Sequence, residues 1–169
     1  MSGYYNAFEI SPVPEPTPDA VAPEPYHGIY GMPMFVTVPT ADLRASERFW
    51  CDGLGFFNLF SVPDRMVHLR RWAFQDVLLV AAEEQADELP LVSVSFACVL
   101  NEIAPITEAC ERERPGSALA PRHMPWNSVE LEIRTPENTR VVFTAAKPFD
   151  PDSAEARNLA EIGITPPEK

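Results

Sequence analysis

The order of apolar segments along the chain occurs twice, and this repeat restricts the possible fold more than any other feature. A strand pattern at residues 34–38 is closed by Pro39, which cannot continue a central ladder. A helix pattern then begins near Thr40 or Asp42 as its capping residue. Three runs rich in β-branched and aromatic residues follow, at residues 56–62, 66–72 and 76–82.

The same order returns after an acidic linker at residues 83–88. Residues 92–99 form a strand pattern, and Pro105 is tolerated in the first turn of the helix that follows. A short strand pattern at residues 117–120 precedes two strong strand patterns, at residues 128–134 and 140–146. We therefore predict an α+β domain at residues 31–147, made of two βαβββ modules at residues 31–86 and 91–147.

Proline-rich, acidic sequences flank the two modules. Residues 1–30 hold six prolines, and each proline removes a backbone donor that a helix or a ladder requires. The apolar content there is too low to offset chain entropy, so we predict a disordered tail. A segment that binds a partner protein is the alternative. Residues 148–169 are predicted to form a second, partly ordered tail with a short helix at 153–162.

Charge and composition exclude several classes of protein. The net charge is −12, and more than half of it lies in the two tails, so we predict no nucleic-acid partner. No apolar run approaches the roughly 18 residues of a membrane span, and the N-terminus lacks the features of a signal peptide. The three cysteines have no metal-site spacing and fall within apolar patterns. They indicate buried thiols in a reducing cytoplasm.

Two motifs resemble the glyoxalase/bleomycin-resistance (vicinal oxygen chelate) superfamily. The first is Phe49-Trp50-Cys51-Asp52-Gly53-Leu54-Gly55-Phe56, which is similar to the superfamily's first helix and its xLGF turn. The second is Trp126-Asn127 followed by residues 128–134 and Thr135-Pro136-Glu137-Asn138, which resembles its closing hairpin. Asn127 and Asn138 stand where the family usually has glycine, and asparagine tolerates the left-handed conformation. Pro33 and residues 143–145 are most similar to the metal-free bleomycin-binding proteins.

The resemblance implies a cup between curled sheets and, in the family's enzymes, a divalent metal held by four side chains. Those positions fall here on Phe35, on Leu78 or Val80, on Ser93 and on Val142. None is a good ligand, so we predict no metal and no other cofactor. The three histidines, His27, His68 and His123, have no second ligand at i+2 or i+4 to suggest a new site.

Strand alternation assigns the lining of the cup. Val67 and Leu69 suit the helix side, so the residues that alternate with them, Met66, His68, Arg70 and Trp72, are predicted to face the cup. The same argument applies to the other strands. The predicted ligand-binding residues are Phe35, Thr37, Phe57, His68, Arg70, Trp72, Ser93, Ser95, Trp126, Glu130 and Glu132. We expect Trp72 to contact the ligand, because a large ring opposite the helices requires a ligand or a partner subunit to cover it.

Structural roles for these residues stay open beside the functional ones. Arg70 could pair with Glu130 or Glu132 across the sheet, and His68 could be a hydrogen-bonded core residue. The leading function is metal-free binding of a small organic molecule, such as an antibiotic-like aromatic natural product. The alternatives are a metal-independent enzyme using His68, Glu130 or Glu132 as acid or base, and an interaction module. Open sheet edges predict a homodimer.

Overall fold

The computed structural model describes residues 13–28, 34–84 and 92–161. These residues form two four-stranded sheets and three helices. The elements are β1 Val36–Thr40, α1 Leu43–Arg48, β2 Phe57–Val62, β3 Met66–Arg71, β4 Gln75–Ala81, β5 Ser93–Cys98, α2 Ile103–Glu113, β6 Arg122–Met124, β7 Ser128–Arg134, β8 Arg140–Ala146 and α3 Ala154–Glu161. The predicted α+β architecture of two βαβββ modules is confirmed. Pro33, most of the acidic linker and Ile162 lie outside the described residues.

The two sheets share one topology. Their strand orders are β1-β4-β3-β2 and β5-β8-β7-β6. In each sheet the first strand of the module runs parallel to the last, and the other neighbours are antiparallel. Within the described residues, no ladder of hydrogen bonds joins one sheet to the other. The homodimer stays a prediction.

Two predicted strand boundaries are wrong. Strand β1 continues through Pro39 to Thr40, because β1 is an edge strand paired only with β4, where a missing N–H is tolerated. The sixth strand is Arg122–Met124 rather than residues 117–120, of which Ala118 forms a single bridge to Ile133. Strand β6 forms a hairpin with β7 through a turn at Asn127.

The two asparagines that stand where the similar family usually has glycine have the left-handed conformation. Asn127 has φ 63° and Asn138 has φ 68°. Asparagine adopts this region more readily than other non-glycine residues, so both hairpins close without glycine. The closing hairpin, with strands at Ser128–Arg134 and Arg140–Ala146, occurs where the sequence predicts it.

Alternation along the strands separates a core face from a cup face. Asp42 caps α1 by accepting from the Ala45 amide, and a π-helical turn at Phe49–Gly53 brings Trp50 into the core. The predicted helix-side residues lie in this common core of both modules: Val36, Val38, Val67, Leu69, Val94, Phe96, Val129, Leu131 and Ile133. Their neighbours along the strands therefore face the opposite side, where the cup lies.

Residues 13–28, here called the strap, differ from the predicted disorder. The strap lies against the folded domain, and Ala20 is buried in a small second cluster with Trp72 and Val99. The Tyr26 amide donates to the Trp72 carbonyl (3.0 Å), and Asn101 Nδ2 donates to the Ala20 carbonyl (2.8 Å). Proline excludes a helix or a ladder but does not exclude burial of small side chains between prolines. The longest described helix has 11 residues, and none of the described helices could cross a membrane.

Candidate functional site

A buried polar cluster lies on the cup face of the first sheet. Asp76 Oδ1 accepts a hydrogen bond from Arg70 Nε (2.8 Å) and lies 2.8 Å from His68 Nε2. The side chains of His68, Arg70 and Asp76 are 5%, 1% and 0% exposed. Antiparallel pairing places Arg70 opposite Asp76, with His68 two residues away on the same face. One carboxylate thus organises both basic side chains.

Arg70 also contacts the strap. Its Nη1 donates to the carbonyl oxygens of Gly28 (2.6 Å) and Tyr26 (3.2 Å). Beside it, the ring of His27 lies 4.4 Å from the ring of Phe57, centre to centre. The cup face of the first sheet therefore holds hydrogen-bond acceptors and a flat ring, both supplied by the protein's own chain.

The turn between β3 and β4 carries two aromatic residues in an uncommon conformation. Trp72 has φ 53° and Phe74 has φ 63°, values that are outliers for bulky side chains. Such conformations cost on the order of 1–3 kcal/mol each and concentrate at binding and active sites. Trp72 is 3% exposed, whereas Phe74 is 51% exposed. The turn thus places one ring under the strap and leaves the other open.

Arg71 ties this turn to the second module. Its Nη1 donates to the Ala97 carbonyl (2.7 Å), and its Nη2 pairs with Glu102 (2.7 Å). The guanidinium carbon lies 4.5 Å from the centre of the Trp72 ring. Burial lowers the pKa of Arg71, with the Glu102 carboxylate opposing that effect. Arg71 therefore links the first module to the second.

Two cavities open on the cup side. A cavity of about 180 Å³ lies between the modules and is lined by Phe35, Phe74, Asp76, Ser95 and Ala97 among others. A second cavity, of about 290 Å³, lies between the strap and the second sheet. Its walls include Val13, Pro16 and Ala20 of the strap and Ser95, Val99 and Thr144 of the domain. Ser95, Phe96 and Ala97 border both cavities, which therefore adjoin.

Comparisons with known proteins identify the fold. No family model and no curated protein matches the sequence. An integron cassette protein from the mobile metagenome of the Halifax Harbour sewage outfall is 27% identical, with a TM-score of 0.55 over 69% of this chain and 99% of that one. The fosfomycin resistance protein FosX from Listeria monocytogenes, solved with Mn(II) and 1S,2S-dihydroxypropylphosphonic acid, is 12% identical, with a TM-score of 0.60 over 80% and 99%. A bleomycin-binding protein solved with bleomycin is 16% identical, with a TM-score of 0.53 over 68% and 98%.

The chain has the vicinal oxygen chelate fold. The fold that the two sequence motifs imply is confirmed.

The side chains at the metal positions of the vicinal oxygen chelate fold do not fit a metal ion. Phe35, Leu78, Val80 and Val142 have no donor atom, and Ser93 is a poor ligand. Asp76 is the carboxylate on the cup face of β4, but its Oδ1 is bound by Arg70, whose charge would repel a cation. Within the described part of the chain, no group of three or more His, Cys, Asp or Glu could hold an ion.

The structure brings together part of the predicted ligand-binding set. Phe57, His68 and Arg70 lie together on the first sheet, and Phe35 and Ser95 line the cavity between the modules. Trp72 is covered by the strap, a cover that the sequence-based argument did not consider. Thr37 and Ser93 alternate along their strands with the core residues Val36, Val38 and Val94.

Three predicted residues lie in other surroundings. Trp126 is 49% exposed, donates to Glu130 Oε1 (3.0 Å) and lines a separate hollow beside α3. Glu132 pairs with Arg140 (2.7 Å) and Arg122 (3.5 Å), and the bond from Arg140 holds its pKa below the usual value. The suggested pairing of Arg70 with Glu130 or Glu132 is wrong, because Asp76 on the adjacent strand is Arg70's carboxylate partner.

Sequence reasoning missed Asp76 and the strap carbonyls. Asp76 had a usable signal, since an acidic residue inside an apolar strand pattern requires a partner. Register pairing across the short turn at residues 72–74 would have placed it opposite Arg70. The carbonyls of Tyr26 and Gly28 left no signal, because every residue has one.

The three thiols are expected to be inert in the folded protein. Burial raises the pKa of Cys98 and Cys110 to about 12 and that of Cys51 to about 11. Near pH 8, Cys98 and Cys110 should react with iodoacetamide at least ~100-fold more slowly than free cysteine, because the thiolate is the nucleophile. A mass-spectrometric time course, with urea-unfolded protein as the control, measures this. Rapid labelling of native Cys98 or Cys110 would contradict the burial described.

Proposed function

We propose that the protein binds a small organic molecule in the cup without a metal, and that the ligand is an antibiotic-like or aromatic natural product. The observation that carries this proposal is the composition of the cup face. Its metal positions hold apolar side chains and one serine, while its polar groups form the cluster of His68, Arg70 and Asp76. Sparse polar anchors among aromatic rings suit an organic ligand.

The comparisons support the proposal without deciding it. The fold is found both in a protein solved with bleomycin and in a fosfomycin resistance protein solved with Mn(II). The fold alone therefore does not distinguish ligand binding from metal chemistry, and only the side chains can do so. In this chain the side chains at the metal positions are poor ligands. Sequestration or carriage of a ligand requires affinity and enclosure but no reacting group.

A second candidate is a metal-independent enzyme. The contact between His68 and Asp76 favours it, since a carboxylate that orients an imidazole is a common arrangement in acid–base catalysis. Glu132 is less suited to act as an acid because Arg140 keeps it ionised. Recovery of the ligand after binding separates the two candidates: a bound ligand returns unchanged, and a substrate returns altered.

A thermal-shift screen with DNA-damaging and aromatic natural products tests the proposal. We expect at least one compound to raise the melting temperature by the same amount with and without EDTA, and to be recovered unchanged. Phe57→Ala should weaken its binding about fivefold, from the loss of roughly 1 kcal/mol of ring stacking. Phe149→Ala removes another half-exposed ring and serves as the matched control. A shift that EDTA abolishes would contradict metal-free binding.

A further inference from the structure

We propose that the strap is an intramolecular competitor for the cup: residues 13–28 occupy the ligand's place, and a ligand must displace them to bind. The inference rests on the proposed function and adds its regulation and the chemistry of its ligand. The strap contacts cup-side residues of both modules, which is where a molecule held between the sheets would lie.

The first anchor of the strap is Ala20. It is 8% exposed and packs with Trp72 and Val99, while its carbonyl accepts from Asn101 Nδ2 (2.8 Å). Val13 and Pro16 close the cavity of about 290 Å³ on the same side. The strap thereby covers the ring of Trp72, whose other neighbours include Val99 and Arg71.

The second anchor lies over the first sheet. Arg70 Nη1 binds the carbonyls of Tyr26 and Gly28, and the His27 ring lies against Phe57. The strap thus uses the same side chains of the cup, Arg70 and Phe57, that a bound ligand would use. A guanidinium N–H takes oxygen acceptors, and an aromatic face takes a flat ring.

The hold of the strap is weak enough to be reversible. Ala20 is the one buried residue of the strap, and its neighbour Val21 is 78% exposed. The strap has no strand or helix of its own that the domain would lose on its release. Segments with few buried contacts open at low free-energy cost. Covalent attachment nevertheless keeps the strap at a high effective concentration, which would raise a ligand's apparent Kd.

The strap's contacts also define the ligand's chemistry. A competitor should combine an aromatic ring for Phe57 with oxygen acceptors for Arg70. An aromatic sulfonate or carboxylate has both features, and an aromatic cation lacks the acceptors. The net charge of −12 favours cations by long-range attraction, so a preference for an anionic ring would have to come from local contacts.

The test uses the full chain with Ala20→Arg, which places a charge in the buried cluster beside Arg71. Val21→Arg adds the same side chain at an exposed neighbouring position and is the matched control. We expect Ala20→Arg to speed hydrogen exchange at the Tyr26 amide and to lower the Kd for the probe anilinonaphthalene sulfonate (ANS) at least about fivefold. Thioflavin T, a cationic ring probe, should gain less. Val21→Arg should change none of these.

A second pair of variants, with smaller changes, keeps the test usable if Ala20→Arg unfolds the protein. His27→Ala removes the ring from Phe57 without touching the core, and Glu24→Ala is its exposed control on the strap. Circular dichroism establishes that each variant is folded. A synthetic peptide of residues 13–28 should displace ANS from folded Ala20→Arg or His27→Ala protein.

Three results would overturn the proposal. They are unchanged exchange at Tyr26 in both Ala20→Arg and His27→Ala, released straps with unchanged ANS affinity, and a larger gain for thioflavin T than for ANS. The probe reports access to the cup whatever the natural ligand is. Failure of the strap therefore leaves the function open, while a natural-product screen that fails on wild-type and strap-released protein alike refutes the function.

Discussion

Asp76→Ala is expected to lower the free energy of unfolding by about 3–5 kcal/mol, because it leaves a buried guanidinium without its carboxylate. The Arg70 side chain is 1% exposed, so its charge depends on the hydrogen bonds that the protein supplies. His68 loses the same partner. Urea denaturation followed by circular dichroism measures the change.

Asp52→Ala is the matched control for Asp76→Ala. Asp52 is exposed at the end of the first helical segment, and its removal should change stability by less than about 0.5 kcal/mol. A loss below about 1 kcal/mol for Asp76→Ala would mean that Arg70 finds another acceptor. The carbonyls of Tyr26 and Gly28 would be the first to examine, since Nη1 already binds both.

Trp50→Ala is the second large change, and we expect a loss of about 3–5 kcal/mol. Trp50 is fully buried, with its ring centre 5.1 Å from that of Phe56 and 6.3 Å from that of Phe96. Its Nε1 donates to Glu137 Oε1 (2.6 Å), so the substitution also removes a donor from a buried carboxylate. Glu137 would keep the hydrogen bond from Ser46.

Trp72→Ala provides the comparison for Trp50→Ala. Trp72 is nearly as buried, but it lies in the small cluster under the strap, and the strap can move into the vacated space. The cost of a truncation depends on how far the surroundings collapse, so we expect a smaller loss than for Trp50→Ala. Equal losses in thermal and urea unfolding would show that Trp72 belongs to the main core.

Local patterns accounted for most of the architecture. Alternation of apolar residues at residues 128–134 and 140–146 located β7 and β8, because a half-buried strand repeats every second residue. The same rule separated Val67 and Leu69 from the cup face.

Features that depend on distant neighbours were missed. Pro39 looks like the end of a strand until β1 is known to be an edge strand with one partner. The sixth strand lies at Arg122–Met124 rather than at residues 117–120, because its pairing with β7, and not its own sequence, determines its position. Short strands carry little pattern and depend on their partners.

The sequence by itself determined the two βαβββ modules and the faces of their strands, because each follows from short-range periodicity. Only the tertiary structure decided which groups meet in the cup. Arg70's partner is Asp76 because two strands pair in one register. Trp72 is covered by residues some fifty positions earlier, in a proline-rich segment whose composition predicts no structure. Composition reports the strap's weak tendency to fold alone, whereas the domain's surface supplies the contacts that hold it.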